Sequence, residues 1–148
     1  GLVDAWAHAD VLSRRVSVAR YSSSDHDTHT LMGKFKTWAR KQSVRLALTQ
    51  WAGGGRRHSM ADSEIFSAYV ERLPEASTLE RFGLRPTFHG GNVMLFLPEE
   101  EGVFMETQTV EGYPLATDAQ IYLDLRQAGP KGQESAAALR QWDGFCRT

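Results

Sequence analysis

The sequence contains a single cysteine, Cys146, and this scarcity excludes an internal disulfide framework and any zinc site built from several thiolates. It has no apolar run near the length of about 20 residues that a membrane-spanning helix needs. The formal net charge is only -1, so the molecule as a whole has no strong attraction for nucleic acid or for an anionic membrane. These absences predict a protein of the reducing cytoplasm that does not bind or cross a membrane.

Familiar catalytic signatures are also missing. The chain has no Gly-x-Ser-x-Gly element that would expose a nucleophilic serine, and the glycine run Gly53–Gly55 lacks the Lys-Ser/Thr ending of a phosphate-binding P-loop. Cys146 shares a predicted helix face with Trp142, so we interpret it as a packing residue. We therefore expect a protein that is not an enzyme and that holds no cofactor.

The order of helical and strand patterns predicts the fold class. A chain of 148 residues is long enough to bury a substantial core as one domain. Its patterns follow the order helix, strand, helix, strand, an uncertain helix, strand, helix, hairpin, strand and two final helices. Such alternation predicts a mixed α/β (α+β) fold, in which helices pack on a central mixed sheet and two helices close the chain.

Glycine and proline place several of the boundaries. Gly90-Gly91 separates two apolar segments and predicts a two-residue hairpin, whose first strand Pro86 places at a sheet edge. The second strand, Val93–Leu97, has no polar residue and is therefore expected to be covered on both faces. The run Gly53–Gly55 is unfavourable for a helix and leaves open whether one forms there.

The last two helices have clear start and stop signals. Thr117 and Gln120 have the spacing of a capping box, so a helix is expected to begin there. The segment Gly129–Gly132 is expected to end that helix, and a second one is expected to begin near Gln133. Apolar residues on both helices predict that each has one face to bury.

Several strings of the sequence resemble a known family. They are Ala47-Leu48-Thr49, Phe82 to Val93, Tyr113 to Leu125, Gly129, Gly132-Gln133-Glu134 and Ala136-Ala137. Together they are similar to the C-terminal region of AbiEi-type antitoxins and transcriptional regulators of type IV (abortive-infection) toxin–antitoxin systems. The resemblance extends roughly from Arg45 to Leu139.

The resemblance implies a function. It implies a bacterial cytoplasmic domain that is not catalytic, counteracts a nucleotidyltransferase toxin and supports autoregulation of its own operon. Such domains follow an N-terminal winged helix-turn-helix that binds DNA. The resemblance is also compatible with a homodimer. Because the chain starts at Gly1 without an initiator Met, we expect residues 1–148 to be this C-terminal domain, lacking the preceding one.

Basic residues in the N-terminal third and directly after the glycine run are the candidates for contact with nucleic acid or a partner, while acidic residues gather at Glu99–Glu101. An ordinary solvated helix face explains the same pattern, and a small nucleic-acid-binding module is one alternative function. The candidates are Arg14, Arg15, Lys34, Lys36, Arg40, Lys41, Arg56 and Arg57.

The segment Asp25–His29 holds two carboxylates and two imidazoles within five residues. This composition allows a divalent metal site, so a metal-dependent phosphotransferase or nuclease-like enzyme is a second alternative function. The simpler interpretation is a polar loop in which Asp27 or Thr28 caps the following helix. We favour the cap and therefore predict no metal ligands.

Overall fold

The computed structural model describes residues 16–24, 27–57 and 65–147, without the side chain of Arg56. The strands are β1 (Val16–Ser23), β2 (Leu46–Leu48), β3 (Phe66–Val70), β4 (Leu84–Thr87), β5 (Val93–Pro98), β6 (Thr107–Val110) and β7 (Tyr113–Ala116). The helices of the described ranges are α1 (Thr28–Gln42), α2 (Gln50–Arg57), α3 (Ala76–Arg81), α4 (Gly102–Met105), α5 (Asp118–Arg126) and α6 (Gly129–Gln141). None of these helices is long and apolar enough to span a bilayer.

The seven strands form one mixed sheet in the order β4-β1-β5-β3-β2-β7-β6. Strand β3 runs parallel to β5, and β2 runs parallel to β7. The remaining neighbours are antiparallel. The predicted mixed α/β fold with two C-terminal helices is confirmed, whereas the predicted opening helix lies outside the described residues.

Helices cover both faces of the sheet. On one face, Phe35 of α1 stacks on Phe66 of β3, with ring centroids 5.0 Å apart and an interplanar angle of 12°. On the other face, Tyr69 of the same strand donates a hydrogen bond of 2.7 Å to Asp124 of α5. Adjacent positions of a strand point to opposite faces, so β3 is buried on both sides.

Strand β3 is buried on both faces, whereas the segment Val93–Leu97, for which this was predicted, is not. In β5, Val93 and Leu95 are fully buried, but Met94, Phe96 and Leu97 remain partly exposed. The cause is the position of the second helical layer. Helix α2 packs on β3, whereas β5 lies one strand further along the sheet, toward β1. The prediction for β5 was therefore wrong about one of its faces.

The predicted hairpin at Gly90-Gly91 does not form, because β1 lies between β4 and β5 and pairs antiparallel with both. The two glycines instead carry the chain past β1, with φ angles of 66° and 81°. A Cβ at Gly91 would overlap the carbonyl oxygen of Tyr21. The edge position predicted for the strand with Pro86 is confirmed.

A hairpin does form further along the chain, between β6 and β7. Its turn residues Glu111 and Gly112 have φ angles of 53° and 83°, the positive values that two-residue hairpin turns require. The sequence pattern predicts a single strand between the Gly90-Gly91 hairpin and the two final helices. The short helix α4 and the strand β6 were therefore not predicted.

The run Gly53–Gly55 is helical and forms the middle of α2, so the helix that the glycines made uncertain does form. A Cβ at Gly53 would lie 2.8 Å from the carbonyl oxygen of Leu48 and 3.0 Å from Cδ1 of Ile121. The missing side chain therefore lets α2 approach β2 and α5 closely. This packing offsets the helix-propensity cost of about 1 kcal/mol per glycine.

The two C-terminal helices begin differently from each other. As predicted, Thr117 caps α5 and accepts a hydrogen bond of 3.2 Å from the amide of Gln120. Helix α6 starts at Gly129 and not near Gln133, because Pro130 fits the first turn of a helix. Gly132 lies inside α6, where a Cβ would overlap the carbonyl oxygen of Leu125. The predicted turn is thus the first part of the second helix.

Cys146 lies in the turn after α6 and is exposed, so its predicted packing role was wrong. The buried residues of α6 are Gly132, Ala136 and Leu139, whereas Ala138 is exposed. Helix α6 ends at Gln141, before Trp142 and Cys146, so the helix face that these two residues were predicted to share does not form.

Candidate functional site

The candidate basic residues of α1 lie on different sides of the helix. Lys34 and Lys41 are about two turns apart and face α3. Lys36 lies on the opposite flank, with Nζ 4.9 Å from the ring centroid of Tyr113. Arg40 is exposed. The predicted basic face is therefore divided, and only Lys34 and Lys41 share a concave surface.

A cleft of about 310 Å³ separates α1 from the end of α3. We call it the α1–α3 cleft. The residues that line it are Gly33, Lys34, Thr37, Trp38, Lys41, Arg81 and Phe82. Its floor is formed by Trp38 and Phe82, whose rings both pack against the fully buried Phe35. Both floor rings are themselves mostly buried, with Trp38 5% and Phe82 9% exposed.

Three cationic side chains surround this cleft. Nζ of Lys34 and Cζ of Arg81 lie 6.0 Å and 5.9 Å from the centroid of the Phe82 ring, while Lys41 is exposed further along α1. Within the described residues, no carboxylate lies within salt-bridge distance of Lys34, Lys41 or Arg81. Among the described residues, the positive charge of the cleft is therefore not offset by a paired carboxylate, an arrangement that favours an anion.

Arg81 was absent from the sequence-based candidates. It lies in the last turn of α3, a place where a basic residue commonly interacts with the helix dipole. Only the packing of Phe82 on Phe35, with centroids 5.4 Å apart, brings Arg81 next to α1. A contact between helices so far apart in the chain leaves no local signal in the sequence.

Arg57 has an internal role that sequence analysis did not foresee. Its Nε and a terminal nitrogen donate hydrogen bonds of 2.7 Å and 2.8 Å to the two carboxylate oxygens of Asp118. The same terminal nitrogen donates to the carbonyl oxygens of Gly144 and Arg147, at 2.9 Å each. The guanidinium also lies 4.8 Å from the ring centroid of Trp142. Arg57 therefore fastens the C-terminal turn and is not a free phosphate ligand.

Of the other candidates, Arg14 and Arg15 lie outside the described residues, and so does the side chain of Arg56. Their predicted contacts with nucleic acid or a partner stay predictions.

The carboxyl group of Asp118 is the centre of this second cluster. Burial by itself raises the pKa of Asp118, but hydrogen bonds from Arg57, Gln108 and the amide of Cys146 outweigh burial and lower it overall. Although Cys146 is exposed as a residue, desolvation of its thiol by the surrounding turn, together with the charge of Asp118, raises the pKa of the thiol. A raised pKa keeps the thiol protonated, which is the reverse of an activated nucleophile.

Asp27 caps α1, as predicted. Its Oδ1 accepts from the amides of His29 and Thr30 at 3.0 Å and 3.4 Å, and its Oδ2 accepts from the Thr30 hydroxyl at 2.8 Å. The bond from the Thr30 hydroxyl is the main reason why the pKa of Asp27 is lowered. In the part of the chain that the structure describes, no group of three or more His, Cys, Asp or Glu side chains is placed to hold a metal ion. Asp25 and His26 lie outside that part.

A polar network connects α5 with the sheet. Oδ2 of Asp124 accepts hydrogen bonds from the hydroxyls of Thr49, at 2.5 Å, and Tyr69, at 2.7 Å. Oδ1 of the same carboxylate accepts a bond of 2.8 Å from Nε2 of Gln120. Thr49, Tyr69 and Gln120 are all buried. No local sequence pattern pointed to this network.

A larger cavity of about 690 Å³ lies beside β1, α3 and β4. Its described lining is Ser22, Ser23, Ser24, Ala76, Leu79, Glu80, Gly83, Leu84, Arg85 and Pro86. This lining contains three serines and the carboxylate of Glu80, but no histidine, lysine or cysteine. It also holds one acidic and one basic side chain, Glu80 and Arg85, and so favours neither sign of charge.

Comparisons with family models, with curated proteins and with solved structures found no match to this chain.

Proposed function

We propose that this chain is a non-catalytic domain of the AbiEi antitoxin type, which counteracts a nucleotidyltransferase toxin and supports autoregulation of the operon. In this role it acts by binding in the bacterial cytoplasm, and a preceding winged helix-turn-helix recognises DNA. The observation that carries the proposal is the hydrogen-bonded network at Asp124.

The network supports the proposal because it joins separate strings that resemble the family. Thr49 ends the string Ala47-Leu48-Thr49, while Gln120 and Asp124 belong to the string from Tyr113 to Leu125. The side chains of all three meet at one carboxylate. Residues that match a family only by chance need not contact one another in the folded protein, whereas residues that maintain the architecture of that family do.

A non-catalytic role is supported by the state of the acidic and nucleophilic groups. Both oxygens of Asp124 already accept hydrogen bonds from protein donors, and Asp27 is used as a helix cap. The raised pKa of Cys146 opposes thiolate formation. A general base needs a free position next to the proton that it removes, and these groups do not offer one.

Growth rescue in a bacterial host tests the proposal. The reading frame next to the gene for this chain is expected to encode a nucleotidyltransferase with Gly-Ser and Asp-x-Asp motifs. Expression of that protein should arrest growth, and co-expression of the chain with its preceding segment should restore it. The matched control co-expresses the Asp124→Asn variant at equal soluble level, which should rescue less because α5 is less firmly held.

Two results would contradict the antitoxin role. One is a neighbouring frame without the nucleotidyltransferase motifs. The other is growth arrest that continues when the wild-type chain is soluble and abundant. Co-purification of the two proteins distinguishes direct binding of the toxin from antagonism without contact.

A further inference from the structure

We infer that the half of the sheet formed by β4, β1 and β5 is, on the face that carries Tyr69, a docking surface for residues 2–12 of this same chain, which pack on it as an amphipathic helix. We call this surface the open face. The inference goes beyond the proposed antitoxin role and does not depend on it. Because it assigns the open face to the chain itself, a second copy or a partner protein would have to bind elsewhere.

The open face begins where the second helical layer ends. Helix α2 packs on β3, and the ring of Phe96 in β5 continues the same face, with its centroid 5.4 Å from that of Tyr69. Strand register pairs Val18 with Phe96 and Arg20 with Met94, and side chains two positions apart in a strand share a face. The central residues of the open face are therefore Val16, Val18, Arg20, Met94 and Phe96, with Arg85 on the edge strand β4.

The first argument is the apolar character of this face. Val18 is 44% exposed, and Val16, Met94 and Phe96 are partly exposed. A sheet face that remains in water normally carries polar side chains, whereas here four apolar ones adjoin each other on two paired strands. A contiguous apolar patch of this kind is typical of a surface that another element covers.

The second argument is the sequence of the segment before β1, which lies outside the described residues. Leu2, Trp6, Ala9 and Leu12 recur at intervals of four, three and three, which predicts a helix with one apolar stripe. Residues 13–15 then connect this helix to Val16. Connections between a helix and a strand are commonly about 2–6 residues long, so the helix can return directly over β1.

The third argument is length. A helix over residues 2–12 extends about 17 Å, at about 1.5 Å per residue. Strand β1 has eight residues and extends about 26 Å, at about 3.3 Å per residue. A helix of this size therefore fits over the open face and does not project beyond the end of the strand.

The fourth argument is charge, and it distinguishes the segment from a second copy. Asp10 follows Trp6 by one helical turn and borders the apolar stripe, while the open face carries Arg20 and Arg85. Arg20 is held over this face, since its Nη1 donates a hydrogen bond of 3.2 Å to Sδ of Met94. Two copies joined through their open faces by a two-fold axis would bring the same cations together, which is unfavourable.

Cross-linking of the intact chain tests the contact. Cys146→Ser removes the natural thiol, and Ala9→Cys places one thiol on the predicted stripe. The second thiol is Val18→Cys on the open face or, as the matched control, Ser17→Cys, which is equally close in sequence and also exposed but lies on the opposite face. With a short bifunctional maleimide, we expect the pair with Val18→Cys to form the intramolecular cross-link about tenfold faster or more, because docking raises its effective concentration.

Thermal unfolding tests the stripe. Trp6→Ala should lower the Tm by roughly 5 °C or more, since it removes the largest side chain that packs on the open face. Val11→Ala is the control, because it truncates an apolar side chain on the opposite side of the predicted helix and should change the Tm by less than about 2 °C. Circular dichroism verifies that all the variants, including those with added cysteines, are folded.

Three outcomes would overturn the inference. They are equal rates of cross-linking for Val18→Cys and Ser17→Cys, cross-links between two molecules at Val18→Cys in place of those within one, and equal Tm values for Trp6→Ala and Val11→Ala. The second outcome would identify another copy as the occupant of the open face. All three are measured on the purified chain without a toxin, so failure of this contact and failure of the antitoxin role can be told apart.

Discussion

The hydroxyl of Thr49 donates a hydrogen bond of 2.5 Å to Oδ2 of Asp124, and this bond joins the end of β2 to α5. The hydroxyl of Tyr69 donates to the same oxygen. Thr49 is 0% exposed and Tyr69 2%, so neither donor has water to replace the carboxylate. Since buried donors without partners are costly, this carboxylate fixes how α5 sits on the sheet.

Replacement of Asp124 by Asn should therefore reduce the free energy of unfolding by about 2–3 kcal/mol, since an amide oxygen accepts these bonds less strongly than a carboxylate. Tyr69→Phe, which removes one donor and leaves the carboxylate, should cost only about 1 kcal/mol. Urea unfolding followed by circular dichroism measures both values. An Asp124→Asn variant as stable as the wild type would show that the network does not hold α5.

The ion pair of Arg57 and Asp118 predicts a pH dependence. The folded-state pKa of Asp118 is lowered, because hydrogen bonds from Arg57, Gln108 and Cys146 outweigh the opposing effect of burial. Its contribution to stability is thus fully present above the unfolded pKa of about 3.9 and is lost as the pH falls through the lower folded value.

Comparison of the wild type with Asp118→Asn isolates this contribution. The wild type should be more stable by about 3 kcal/mol at pH 7, and the difference should decrease toward zero as the pH is lowered to about 2. Denaturant unfolding at each pH provides the measurement. A difference that stays constant through the acid range would mean that the charge of Asp118 does not stabilise the fold.

The glycines of α2 predict opposite effects of the same substitution. Gly53→Ala should destabilise the protein by about 1–3 kcal/mol, because its Cβ would meet the carbonyl oxygen of Leu48 at 2.8 Å. Gly55→Ala has no atom within 4 Å of its Cβ and should stabilise the protein by up to about 1 kcal/mol through helix propensity. Thermal unfolding of the two variants tests the helix. If both substitutions were neutral, the run would behave as a loop.

The crossing of the chain beside β1 predicts unequal effects at Gly90 and Gly91. Gly90→Ala should cost about 1 kcal/mol, because only its positive φ of 66° is unfavourable for alanine. Gly91→Ala combines a φ of 81° with overlap of the Tyr21 carbonyl oxygen, so we expect a loss of more than about 3 kcal/mol. Equilibrium unfolding compares the two. Equal losses would indicate a simple turn at this position, as in the hairpin predicted from sequence.

Features that depend on neighbouring residues were predicted well from the sequence. The caps at Asp27 and Thr117 form as expected, because a cap needs only a side-chain oxygen and the amides of the next few residues. Pro86 lies in an edge strand because it has no amide hydrogen for a second neighbour. Apolar periodicity likewise gave the mixed α/β class.

Features that depend on distant residues could not be predicted in this way. Strand β1 separates β4 from β5, and close packing keeps a helix at Gly53. The candidate site depends on the same kind of contact. The basic residues of α1 were visible in the sequence, but Arg81 was not, and only the packing of Phe82 on Phe35 brings it beside Lys34.

By itself the sequence determined local conformation, the class of the fold and where positive charge is abundant. The tertiary structure decided which of the described cations have a carboxylate partner, since Arg57 pairs with Asp118 while Lys34, Lys41 and Arg81 surround a cleft. The physical reason is that pairing of charges, like pairing of strands, is set by distances between atoms that are far apart along the chain.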